Sequence, residues 1–263
     1  MTITTWANGI NLVKQYVVKI RTPDASGTGF LISHSDKVHI CGIATALHVV
    51  EHAHTWEEPI RIEHMSSGKH MVLRESDRAI IVLEEKDLAF ILCPTGDIPV
   101  QPGWPRLIPQ GKTIRQGVQI GWCGFPAVAP QDLCFFAGHV SCILKAQDSY
   151  LVDGVAINGV SGGPAFLPVD KDQFILGGMV SAYIPNRATG ESLPGVCVVR
   201  SIGPYQEMLK EFKTIEQAQI EAAAKTVQKT DKETSNEATE ATLELAPRAR
   251  SSEPHAEVGL QKE

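Results

Sequence analysis

Between "YVVKI" (16–20) and "VCVVRSI" (196–202) the chain is a succession of short β-rich runs separated by turn residues. "GTGFLIS", "HICGIATALHVV", "IRIEH", "MVLRE", "AIIVLEE", "LAFILCP", "VQIGWCGF", "CFFAGHVSCILKA", "SYLVDGV", "PAFLPV" and "FILGGMVSAYI" lie between them. Most are apolar or alternating, and Gly, Pro, Asn or Asp bound them. Many short strands at close spacing predict an all-β sandwich or barrel. The clusters "TPDASGTG", "CPTGD", "QPGWP" and "IPNRATGES" read as loops.

The bulk composition agrees. At 263 residues and 43% hydrophobic, the chain can bury a sizeable core, in one large β domain or two small ones. A net charge of -6 argues against a dedicated nucleic-acid binder, which would present a basic face. No uninterrupted apolar stretch predicts a membrane span. The start, "MTITTWANGINLVKQYVVKIRT", has no basic-then-apolar signal pattern. The six cysteines are scattered, with no CxxC pair, so reduced thiols and a cytoplasmic location are expected.

After Gly203 the character changes. "PYQEMLKEFKTIEQAQIEAAAKTVQK" is rich in helix formers, and Pro204 suits a first turn. Tyr205, Met208, Leu209 and Phe212 fall at helical spacing and form a docking face. Beyond about Thr230 the chain is polar and reads as a disordered tail.

Three stretches carry chemistry. "NGVSGGPAF" (158–166) places Ser161 among glycines, where backbone can approach a substrate closely. Its own N–H and that of Gly159 are the natural donors for an oxyanion hole. "IATALHVV" (43–50) puts His48 at a strand end framed by small residues, which leave an imidazole room to face a cleft. "KDLAFIL" (86–92) puts Asp87 directly before an apolar strand, where a carboxylate can hold an imidazole N–H. Asp77 and Asp97 compete, but neither immediately precedes a buried-looking strand.

Taken together, these stretches resemble the trypsin/chymotrypsin-like serine peptidases, whose triad order is His, Asp, Ser. The likeness is greatest to the HtrA-type peptidase domain. It rests on "SGTGFLIS" (26–33), "TALHVV" (45–50), "DLAFIL" (87–92), "GHVS" (138–141), "DGVAINGVSGGPAF" (153–166), "LGGMVS" (176–181) and "PGVCVVRSI" (194–202). The resemblance implies a peptidase domain over residues 15–212, made of two six-stranded antiparallel β-barrels at about 15–105 and 115–202. Residues 213–263 would be a helical extension and polar tail. Val49 stands where secreted members carry a disulfide cysteine, leaving Cys41 without a family partner. No "IVGG"-type activation start is present, and the chain after Gly203 is too short for the PDZ domain of full HtrA proteins.

The resemblance further implies a serine endopeptidase with His48 as base, Asp87 as its orienting acid and Ser161 as nucleophile. Gly159 and Ser161 would supply the oxyanion hole. Val155, Ala156, Ser181, Ala182, Tyr183, Gly195 and Cys197 would line the specificity pocket, and none is charged. Cleavage after a small or medium apolar residue is expected, because a buried cation would find no counter-charge. The expected partners are protein or peptide substrates, paired with the strand at Ser181–Tyr183, and an activating protein; no cofactor, nucleic acid or membrane is expected.

Three other readings stay open. A trypsin-like fold can act as an inactive peptide-binding module when its triad is lost, though all three positions are intact here, or as a regulated one, through a Gly159 peptide flipped at rest that leaves the oxyanion hole unmade. "HVVEH" (48–52) is a literal H-x-x-E-H, the zinc signature of one metallopeptidase class. Cys134, His139 and Cys142 in "CFFAGHVSC" suggest a metal site, set against the favoured reading of buried thiols on one strand.

Overall fold

The computed structural model describes residues 3–35, 37, 39–99, 105–170, 173–185 and 192–244. Of residues 3–5, 170, 182–185, 192–194, 223–224 and 226–244 only the backbone is described. Two compact units divide the chain, Met1–Glu216 and Gln217–Glu263.

Nearly every β-rich run forms its own strand. The N-terminal sheet contains β1 (Val17–Arg21), β2 (Ser26–Ser35), β3 (Ile40–Ala46), β4 (Ile60–His64), β5 (Lys69–Leu73), β6 (Ala79–Leu83) and β7 (Leu88–Pro94). Its order is β5-β4-β1-β2-β3-β7-β6. The C-terminal sheet contains β8 (Arg106–Leu107), β9 (Gln119–Gly124), β10 (Cys134–Leu144), β11 (Ser149–Asp153), β12 (Pro164–Asp170), β13 (Gln173–Pro185) and β14 (Ser192–Ser201). Its order is β12-β9-β10-β11-β14-β13-β8, and β12 also pairs with β13, which closes six strands into a barrel. The all-β, two-barrel expectation therefore holds, with one barrel closed. The other has seven strands rather than six and stays a half-barrel, with no pairing between β5 and β6 among the described residues.

Among the described residues three α-helices accompany the sheets: α1 (Ile3–Val13), α2 (Leu47–Thr55) and α3 (Gly203–Glu244). The strand-by-strand pattern of the sequence has no place for α1. Its Trp6 packs on Phe135 and Phe166 and donates an indole hydrogen bond to Gln119 Oε1 at 3.1 Å. The helix after Gly203 runs to Glu244, through the segment expected as tail from Thr230, in keeping with its Ala, Glu and Lys content. Residues 245–263 lie outside the described residues. Tyr205, Met208 and Phe212 are buried as their spacing predicts, while Leu209 is partly buried against the same core.

Two cores result. One lies within the closed barrel around Trp122, Tyr150, Val152 and Val180. The other joins the half-barrel residues Phe30 and Phe90 to Phe166, Met179, Tyr205 and Phe212. Tyr205 ties the start of α3 to the strand pair β3–β7, with its hydroxyl 2.6 Å from the Thr45 carbonyl and 3.2 Å from that of Ala89.

The two sheets repeat one device. Strands β6 and β10 are each followed by a short 3-10 turn and then by a left-handed aspartate directly before the next strand: Asp87 at φ 53° and Asp148 at φ 49°. Aspartate tolerates that conformation better than most residues. Among the described residues the first copy meets a histidine, His48, and the second a lysine, Lys86.

Candidate active site

The register of β3 and β7 brings His48 and Asp87 together. Ala46 pairs with Leu88, and the Leu47 N–H continues the ladder to the Asp87 carbonyl at 3.1 Å. The chain then turns into α2, whose N-cap, Ala46, has no side-chain oxygen to offer the first turn. The Asp87 carboxylate fills that role from the neighbouring strand, accepting the His48 backbone N–H at 3.0 Å. Its Oδ2 also lies 2.9 Å from His48 Nδ1. A carboxylate there favours the tautomer with hydrogen on Nδ1, which leaves the Nε2 lone pair to accept a proton.

A third donor reaches the same carboxylate. Ser181, on β13, is 1% exposed and donates its hydroxyl to Asp87 Oδ2 at 2.6 Å. Burial alone would push the Asp87 pKa up. The hydrogen bonds from His48 and Ser181, with the charge of His48, outweigh it and hold the carboxyl below its ordinary 3.8. Sequence reasoning places Ser181 in the pocket wall instead. The signal for its other role is present in "VSAY", since a strand's alternate residues point to opposite faces, but nothing local ties it to Asp87.

The loop bearing Ser161 is stitched to the half-barrel by Thr28, on β2. Its hydroxyl donates to the Gly159 carbonyl at 2.7 Å and accepts the Phe125 N–H at 3.1 Å. Its N–H donates to the Ser161 carbonyl at 2.9 Å, and its carbonyl accepts the Thr45 hydroxyl at 2.7 Å. This explains the "SGTGF" stretch. A Cβ on Gly27 would come within 2.5 Å of Val49 and 3.1 Å of the Ser161 carbonyl, so the residue after His48 and the Ser161 backbone crowd one point. Gly162, at φ +86°, would press a Cβ to 1.9 Å from the Thr28 carbonyl. Thr28→Val keeps the shape but leaves the Gly159 carbonyl and Phe125 N–H unpaired. A stability loss of about 1–3 kcal/mol is expected, measurable by urea denaturation; an unchanged midpoint would contradict the stitch.

Gly159 has φ +92°, and a Cβ there would meet the Phe125 carbonyl at 2.3 Å. The Asn158 carbonyl accepts the Ala127 N–H at 2.7 Å. In a trans peptide the N–H points opposite to the carbonyl, so the Gly159 N–H faces away from Ala127. Among the described residues neither it nor the Ser161 N–H donates elsewhere. Ser161 is half-buried, and its hydroxyl makes no hydrogen bond to His48 among those residues. Such bonds commonly lengthen in the absence of substrate.

The remaining expected site residues fall as follows. Val155 is exposed and Ala156 half-buried. Gly195, at φ +80°, has open space where a side chain would stand, and its carbonyl accepts the Gly154 N–H at 2.8 Å. Cys197 is fully buried in the barrel core, and burial together with Asp153 pushes its thiol up to about 12. Ala182 and Tyr183 pair with Val198 and Cys197 through β13 and β14, but their side chains lie outside the described residues.

Two further expectations change. Cys134, His139 and Cys142 do share strand β10, but Cys134 is only half-buried and Cys142 is exposed, because that strand is solvated along much of its length. Cys41 has a neighbour after all: Cys93, directly across β3–β7, with sulfurs 3.6 Å apart and both thiols free. The H-x-x-E-H stretch lies on α2. Among the described residues no group of three or more His, Cys, Asp or Glu is arranged to hold a metal ion. No described helix is long and apolar enough to cross a membrane.

No family model and no curated protein matches the sequence. Solved structures do match in fold. The serine endoprotease from Yersinia pestis is 18% identical, with a TM-score of 0.59 over 80% of this chain and 67% of that one. Deg5 is 17% identical, with a TM-score of 0.56 over 77% and 91%. The Rv3671c protease of M. tuberculosis, in an inactive form, is 18% identical, with a TM-score of 0.54 over 80% and 96%. The chain thus has the trypsin-like serine-protease fold.

Proposed function

We propose that this chain is a serine endopeptidase in which Ser161 attacks the peptide carbonyl and His48 takes its proton. Asp87 holds His48 in the working tautomer, and the N–H groups of Gly159 and Ser161 stabilise the oxyanion. His48 then protonates the leaving amine, and water releases the acyl-enzyme. The observation that carries the reading is the His48 Nδ1 to Asp87 contact at 2.9 Å, backed by Ser181. It is supported by the glycine-bounded Ser161 loop and by the two N–H groups left unspent there. The peptidase domain would span residues 15–212. An activity-directed fluorophosphonate probe tests the reading: one covalent adduct per chain is expected, insensitive to EDTA. Chelator-sensitive proteolysis without labelling would instead favour the H-x-x-E-H stretch.

The specificity pocket is proposed to be apolar, bounded by Val155, Ala156 and the open face at Gly195, with the backbone of Ser181–Tyr183 pairing with substrate. Cleavage of a peptide library is expected after small or medium apolar residues; dominant cleavage after Arg or Lys would overturn that assignment. Protein or peptide substrates follow from the same reading. An activating partner and a cytoplasmic setting remain parts of the proposal.

A further inference from the structure

The proposed catalytic step uses His48 and leaves the second histidine of "HVVEH" without a role. On α2 the two lie four residues apart, a spacing that stacks side chains on one helix face with Cβ atoms about 5–6 Å apart. Their surroundings match. His48 Nδ1 lies 2.9 Å from Asp87 Oδ2, and His52 Nδ1 lies 2.9 Å from Glu58 Oε2. Each ring therefore gives its Nδ1 hydrogen to a carboxylate and keeps its lone pair at Nε2. Carboxylate support at the far nitrogen is the usual arrangement behind a metal-bound histidine, where it fixes the tautomer and raises ligand basicity. Both side chains are close to half exposed, at 46% and 47%.

We propose that His48 and His52 together bind a divalent cation of the zinc class, and that metal held there withholds His48 from Ser161. Imidazole pairs suit zinc, copper and nickel, whereas magnesium and calcium prefer oxygen. Water completes the coordination shell, since the described residues hold no three-ligand group. This makes the site inhibitory rather than hydrolytic. The inhibitory half rests on the proposed role of His48; the binding half does not. One Nε2 lone pair cannot hold a cation and take the serine proton together.

The experiment is calorimetric titration of the full chain with zinc chloride, with magnesium chloride in parallel. Labelling by the fluorophosphonate probe is then compared with and without zinc. One zinc per chain is expected, with no response to magnesium. His48→Ala and His52→Ala should each weaken binding at least about tenfold, and Glu58→Gln by about 10–100-fold. His54→Ala, off this face of the helix, should bind as the parent does. Zinc should slow labelling of the parent, and His52→Ala should lose that sensitivity. Unchanged zinc affinity in His52→Ala, or equal loss in His54→Ala, would overturn the site. If zinc binds as expected but no labelling occurs in any condition, the site stands and the serine-peptidase reading falls.

Discussion

Ser161→Ala is expected to lower kcat about a million-fold and to abolish fluorophosphonate labelling, with the fold unchanged. The size follows from the proposed mechanism: without the hydroxyl no acyl-enzyme forms, and residual turnover comes from the oxyanion donors and substrate binding alone. The fold should survive because the loop is held by main chain. The Ser161 carbonyl accepts from Thr28, the Gly162 N–H donates to Val180 at 2.7 Å, and the Gly163 N–H donates to Val160 at 2.9 Å. None of these uses the Ser161 side chain. Mass spectrometry of the labelled protein, with thermal denaturation of the variant, checks both halves. Labelling that persists in Ser161→Ala would place the nucleophile elsewhere.

The strands were legible because a strand announces itself locally, by short apolar or alternating runs between Gly, Pro, Asn and Asp. His48 and Asp87 were legible for a related reason, since each sits at the end of a run and strand ends converge in an antiparallel pair. Relations across sheets were not. Ser181 meets Asp87 across 94 residues, and Thr28 meets Gly159 across 131. No periodicity encodes such pairs. Helix α1 does not announce itself, because "ITTWANGINLV" carries β-branched residues, two Asn and a Gly. Tertiary contact through Trp6 offsets that weak propensity. Cys197 illustrates the opposite error: a motif position assigned to the pocket wall carries a side chain that the barrel core absorbs.

Asp87→Asn is expected to reduce kcat at neutral pH by about 10⁴-fold while leaving Ser161 able to react slowly with the probe. The carboxylate accepts three donors: the His48 backbone N–H, His48 Nδ1 and the Ser181 hydroxyl. An amide has only one oxygen for them. Its NH₂ group would face either Ser181, which can turn to accept, or the imidazole, which can accept only by losing its Nδ1 hydrogen. That second arrangement moves the hydrogen to Nε2, where it blocks proton transfer from Ser161. The same substitution has a stability signature with a definite sign. Asp87 is held below its ordinary 3.8 in the folded chain. Its ionised form therefore stabilises the fold fully above that value, and the contribution is lost as pH falls through the lower, folded value. The neutral amide of the variant does not titrate and makes no such contribution. The gap in melting temperature between parent and Asp87→Asn should be largest near neutral pH and close in strong acid. Activity within tenfold of the parent, or a gap that widens in acid, would remove Asp87 from the assignment.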